Sequence, residues 1–182
     1  MSTTVIKMSL DPKDIERAIK EVKRYKRDFL KKVDIYRKRL AEEIATNAQT
    51  LFNSSTINDV VGGGKEKETS RNANVKVSVT NSGNISVVVA DGEDAIWCEF
   101  GAGVYHNGSV GSSPNAWGGE LGFTIGSYGK GQGRKNAWGF YAEPDKKESL
   151  TITRGTPATM PMYTSAVKVT GMAIKIAKEV FG

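Results

Sequence analysis

The longest regular pattern in the chain runs from Ile15 to Leu51. Apolar residues recur at Ile15, Ile19, Val22, Phe29, Val33, Tyr36, Leu40, Ile44, Ala48 and Leu51. The steps are threes and fours with one seven, which is a helical period. Asp11-Pro12 opens the run, since Asp is a strong N-cap and Pro suits the first helical position. The pattern predicts one helix over residues 11–52. At ~1.5 Å per residue it would reach ~60 Å, longer than a domain of this size is wide. Part of it must project, bend or pack on another subunit.

The period then changes to two. Val75, Val77 and Val79 alternate with Lys76, Ser78 and Thr80, Asn81-Ser82-Gly83-Asn84 makes a turn, and residues 85–90 are mostly β-branched and apolar. This predicts a hairpin with one face inward. Residues 138–142 and 150–153 read as two further strands around a turn at 144–147. Behind Pro161, the residues Met162, Ala166, Val169, Ala173, Ile176 and Val180 repeat in steps of four and three. They predict a closing helix whose stripe is buried on the sheet or on the first helix. The expected class is α+β: a long N-terminal helix and a C-terminal helix packed on a mostly antiparallel sheet of about four strands.

Two stretches break the pattern. Residues 53–74 contain Gly62-Gly63-Gly64 and a polar run from 65 to 71. Without a Gly-Lys-Ser/Thr ending and a following helix they read as a flexible connector, not a phosphate loop. Residues 103–137 form a long Gly/aromatic-rich loop. Twelve of the chain's twenty glycines lie between Gly101 and Gly139, with Trp117, Phe123, Tyr128 and Trp138 among them. Such a run cannot build a core of its own, and is expected to order only on assembly. Its aromatics could stack on bases or anchor a protein contact. The whole, residues 1–182, reads as one domain, with the hairpin and a motif segment at 75–100 and the strands and last helix at 138–182.

Composition narrows the function. No apolar run approaches the ~20 residues of a membrane span, and the first residues lack the apolar stretch of a signal peptide. A protein made and kept in a cytoplasm until assembled, with no membrane partner, is expected. The single cysteine, Cys98, excludes an internal disulfide, and with the single His106 it argues against a Cys/His zinc site. No metal, cofactor or enzymatic activity is expected. His106 reads as a loop hydrogen-bonder. The net charge of +6 points to an acidic partner. Between Asp11 and Glu43 there are twelve Lys/Arg and eight Asp/Glu. Lys23, Arg24, Lys26, Arg27, Lys31 and Lys32 are the candidates for phosphate contact. The mixed signs favour a solvated face with subunit salt bridges, and a basic nucleic-acid-binding module is the alternative function.

The densest mix of apolar bulk, carboxylate and backbone freedom is residues 95–103. Glu99 stands between Trp97 and Phe100, so it must find donors or shift its pKa. Gly101 and Gly103 allow a sharp turn and leave N–H groups open to an acceptor. With no second carboxylate or histidine at a supporting spacing, Glu99 reads as the anchor of this turn rather than a catalytic acid.

Here the chain resembles a family. Ala95, Glu99-Phe100-Gly101-Ala102-Gly103, then Trp138-Gly139-Phe140-Tyr141, then Gly155, Pro157-Ala158, Pro161-Met162 and Ala166 follow the motif order of tail-completion (head–tail joining) morphogenesis proteins of long-tailed phages. Ala102 stands where the family often has Thr, and the family's Pro-x-x-Thr-Gly segment after the first helix is replaced by residues 53–71. The resemblance implies a structural virion protein of the neck or tail, assembled in a bacterial host cytoplasm. It would form a homo-oligomeric ring, hexameric by preference and dodecameric as the alternative, that joins the tail to the capsid connector. Its neighbours would be the tail terminator and head-closure proteins, with DNA possible in the lumen. Trp97, Glu99, Phe100, Gly101, Gly103, Trp117, Trp138, Gly155, Pro157 and Pro161 are then interaction or structural residues.

Overall fold

The computed structural model describes residues 9–60, 68–101, 113–121, 138–141, 150–153 and 155–182. The first helix, α1 (Pro12–Ser54), is 43 residues long, or ~64 Å. Its N-terminus is capped as expected: Asp11 Oδ1 accepts from the Lys13 N–H at 3.0 Å, and Pro12 holds the first helical position. It ends at Ser55, which is extended and leads into β-branched Thr56 and Ile57.

The strands pair as β1 (Thr56–Val60) with β2 (Glu68–Asn72), β3 (Lys76–Ser82) with β4 (Ile85–Asp91), and β5 (Trp138–Tyr141) with β6 (Leu150–Thr153). All three pairs are antiparallel. Two short helices, α2 (Asp94–Phe100) and α3 (Trp117–Glu120), come between β4 and β5, and α4 (Pro161–Phe181) closes the chain. The α+β class and the two flanking helices are as expected. The strands differ in grouping: among the described residues they form separate two-stranded ladders, and β6 lies beside β1, not beside the valine hairpin.

Residues 53–74 are not simply a connector, because they contain β1 and β2. Ile57, the second residue of β1, is buried, and its side chain ties a mostly polar ladder to the core. The loop expected at 103–137 lies mostly outside the described residues. Its described part, 113–121, carries α3.

The last helix packs antiparallel to α1. Lys168 Nζ donates to Asn47 Oδ1 at 2.6 Å, the Tyr36 hydroxyl to the Ala173 carbonyl at 3.3 Å, and Arg39 pairs with Glu179 at 2.8 Å. Phe181 ends this track, its ring 5.7 Å from Phe29 and 5.9 Å from Tyr36. Pro161, Ser165, Val169 and Ile176 are the buried residues of α4. The expected stripe is therefore turned: Val169 and Ile176 are in it, while Met162, Ala166 and Ala173 are only half-buried at its border. The reason is the partner. The helix lies along α1, and the valine hairpin packs on a different side of α1.

The hairpin sits on the second half of α1 through Val77, Val79, Val88 and Ala90, the half-buried side of its alternation. The Gln49 amide acts as a short substitute strand along β3, accepting from the Val77 N–H at 2.8 Å and donating to the Val75 carbonyl at 2.9 Å. Arg37 reaches Ser86 Oγ at 2.7 Å. The core gathers Ala48, Phe52, Ile57, Val75 and Cys98. It sits where the end of α1, β1, the entry to β3 and α2 converge, with Met162 of α4 packed against it.

Candidate functional site

Next to that core, the segment that carries Glu99 meets the segment from Gly155 to Tyr163. Glu99, in the last turn of α2, is buried. Its Oε2 accepts from the Met162 N–H at 2.9 Å and its Oε1 from the Tyr163 N–H at 3.1 Å. These are open donors of the first turn of α4, whose preceding residue, Met160, is left-handed (φ 52°) and offers no side-chain cap. A helix start leaves such N–H groups without intrahelical partners and carries partial positive charge. Glu99 therefore caps α4 from another helix, 63 residues away in the chain.

The carboxylate does take backbone N–H groups, as expected, but not those of the following glycines. The Gly101 N–H instead returns to the Trp97 carbonyl at 2.8 Å and closes α2, with φ at 77°. That left-handed closure needs glycine. Gly103 lies outside the described residues. The direction in which the chain leaves α2 is set by helix termination, not by Glu99.

Further bonds tighten the joint. The Cys98 carbonyl accepts from the N–H groups of Thr159 at 2.8 Å and Met160 at 3.0 Å. The hydroxyls of Ser55 and Thr159 are 2.8 Å apart, tying the end of α1 to the same segment. Asn58 of β1 donates its side-chain amide to the Gly155 carbonyl at 2.7 Å and its N–H to Thr156 Oγ1 at 3.2 Å. Pro157 is half-buried, and Ala158 and Pro161 are buried. The segment 155–161 is thus a strap held by α1, β1 and α2 together.

At the start of α2, Asp94 is buried and receives three bonds. Arg71 binds both its oxygens, at 2.6 and 2.9 Å, and the Asn74 N–H adds a third at 2.7 Å. The Arg71 guanidinium holds the Asp94 carboxyl below its ordinary range, against the opposing effect of burial. The Cys98 thiol is fully buried, and that burial pushes its pKa up to about 11. A thiol of this kind is a packing residue with little thiolate at neutral pH.

The remaining candidate residues disperse. Phe100 is buried, and its ring meets Gly118 of α3, where an added Cβ would lie 2.6 Å from a ring carbon. Trp97 is half-exposed and Trp117 is mostly exposed. Trp138 lies in β5. His106 falls outside the described residues. Lys23, Arg24, Lys26, Arg27, Lys31 and Lys32 are all exposed on α1, far along the helix from the Glu99 joint.

Both oxygens of Glu99 are taken by backbone donors, and among the described residues no group of three or more His, Cys, Asp or Glu could hold a metal. No helix among them is long and apolar enough to cross a membrane. Sequence reasoning missed Arg71, Asp94, Ser55 and Asn58. Arg71 and Asn58 lie in the polar stretch read as a connector, and nothing local signals their partners. Comparison with known proteins found no matching family model, no matching curated protein and no matching solved structure.

Proposed function

We propose that this is a structural assembly protein that forms a ring of identical subunits and serves in tail completion at the neck of a long-tailed phage particle. One observation carries the assembly reading: α1 continues past the end of its partner helix with its apolar stripe uncovered. All fifteen residues from Ile19 to Val33 are exposed. They include Ile19, Val22, Tyr25, Phe29, Leu30 and Val33. A monomer has no use for an apolar stripe of this length in water, and contiguous exposed apolar surface marks interaction sites.

A second bare apolar surface lies elsewhere on the chain. The outer side of β4 presents Ile85, Val87 and Val89, which are 65%, 48% and 43% exposed. Two unlike surfaces on one chain make a heterologous contact, which closes into a ring when the rotation between subunits allows it. The phage assignment rests on the motif order, and the mutual contact of Glu99 with the segment around Pro161 supports reading those motifs as one unit. Neighbours of the tail-terminator and head-closure type follow from the same assignment.

The test is purification of the protein, imaging, and incubation with tails and filled capsids from particles lacking it. Closed rings that restore joined particles are expected. A protein that stays monomeric and restores nothing would overturn the proposal.

A further inference from the structure

The face of α1 opposite its apolar stripe has a regularity of its own. Lys13, Arg17, Lys20, Arg24, Arg27 and Lys31 follow one another in alternating steps of four and three, and Lys38 continues the series one heptad later. The missing place is Asp34, which Arg37 and Lys38 hold in ion pairs. At 3.6 residues per turn these seven cations fall within a sector of roughly 80°, centred roughly 160° from the stripe of Ile15, Ile19, Val22, Phe29 and Val33. The row is ~38 Å long, with a positive charge every ~5 Å.

Most of this charge is unspent. Arg17 pairs with Asp14 and Lys38 with Asp34, but Lys13, Lys20, Arg24, Arg27 and Lys31 have no ion pair among the described residues and are exposed. Arg27 and Lys31 also border an open groove shared with Lys23, Lys26, Leu30, Asp34 and Ile35. Residues 13–32 contain nine Lys/Arg and four Asp/Glu, a surplus of five, against +6 for the whole chain. The positive charge of the protein is concentrated on this arm.

We propose that this row is a binding site for the phosphate backbone of duplex nucleic acid, contacted by Lys13, Lys20, Arg24, Arg27 and Lys31. A straight, single-sign row of long side chains suits a linear polyanion, whose phosphates attract it without regard to sequence. A cationic face opposite an apolar one also suits a helix lying on an anionic bilayer, so anionic vesicles are the competing ligand in the test; the straight row with its regular ~5 Å step favours the linear polyanion. The apolar stripe stays available to a protein partner while the row holds phosphate, so the site does not depend on ring formation.

The test is fluorescence anisotropy of a labelled duplex of about 24 base pairs, titrated with the full chain between about 50 and 200 mM salt. Two triple variants of equal charge are compared: Arg24→Gln/Arg27→Gln/Lys31→Gln on the row, and Lys76→Gln/Lys175→Gln/Lys178→Gln away from it. The wild-type slope of log affinity against log salt is expected to be about −4.5, at about −0.9 for each of the five phosphate contacts. The row variant should lower its magnitude by about 3 and bind at least about tenfold more weakly, with the off-row variant close to wild type. Circular dichroism checks that both variants keep their helix. Equal losses in the two variants would reduce the effect to net charge and overturn the proposal. So would the absence of duplex binding, whether or not vesicles rich in anionic lipid, or an acidic protein, were bound instead.

Discussion

The two halves of α1 have the same apolar period and very different surroundings. From residue 34 onward the stripe meets α4 on one side and the valine hairpin on another, and Ala41, Ala48 and Phe52 are buried. Between Ile19 and Val33 every residue is exposed, and among the described residues the stripe meets only the Phe181 ring, at Phe29. Period alone therefore does not say what is core. It says that a face is to be covered: the packed half takes its cover from this chain, and on our proposal the bare half takes it from another. The difference also separates stability from assembly. Substitutions in the second half should unfold the protein, and those in the first should leave it folded and change what it binds.

The largest expected effect is at Phe52, which is fully buried in the core at the end of α1. Phe52→Ala should cost ~3–5 kcal/mol in denaturant unfolding, through lost burial and the cavity left behind. Val22→Ala, on the bare half at 53% exposure, should stay within about 0.5 kcal/mol in the monomer. Similar losses at the two positions would erase the distinction between the halves. Ile176→Ala, at the buried α1–α4 seam, should cost ~2–5 kcal/mol.

Glu99→Gln should cost ~1–3 kcal/mol by thermal unfolding. One amide oxygen can still accept an N–H, but the NH₂ group then faces the second donor of α4. The loss should be the same in the monomer whether or not assembly follows, because this carboxylate caps a helix inside the subunit.

Asp94 gives a pH signature. Its folded pKa lies below the unfolded value, so the unfolded chain binds the proton more readily. The contribution is fully present above the unfolded pKa of about 4 and is lost as pH falls through the lower, folded value. Unfolding midpoints measured downward from pH 6 should fall in this acid range, and Asp94→Asn should flatten that part of the profile. Arg71 is 46% exposed at its side chain, so solvent screens the pair and the effect is modest.

The smallest effect has the opposite sign. Ser165 is buried on α4, and its hydroxyl lacks a hydrogen-bond partner among the described residues. Ser165→Ala removes that unsatisfied group and should raise stability by up to about 1 kcal/mol. A loss of stability in denaturant titration would mean that the hydroxyl has a bond the packing does not reveal.

The helices were legible because their signals are local and repeated. The Asp11-Pro12 start and the long apolar period place α1 within two residues of its observed end, and Pro161 marks the first residue of α4. The β1–β2 ladder was not legible, since its strands are mostly polar and show no apolar alternation; among the residues described there, Ile57 reaches the core. The phase of α4 was missed by roughly 50°, half a residue, because its buried face takes in Pro161 and Ser165, which an apolar count passes over. Glu99 could be singled out from Trp97 and Phe100 beside it, but its donors at Met162 and Tyr163 are a matter of tertiary contact. The cation row on α1 was present in the sequence throughout. Counting charges by sign hides it, and placing them around the helix brings it out.

On our proposal, the bare half of α1 is an assembly surface. Sedimentation velocity of the wild type beside Ile19→Asp/Val22→Asp tests it most directly, with circular dichroism and thermal unfolding on the same samples. The wild type should sediment as a closed oligomer, and the double variant as a monomer with unchanged helix content and a monomer melting profile like that of the dissociated wild type. An oligomer of unchanged size in the double variant, or a wild type that is monomeric at every concentration, would contradict the account.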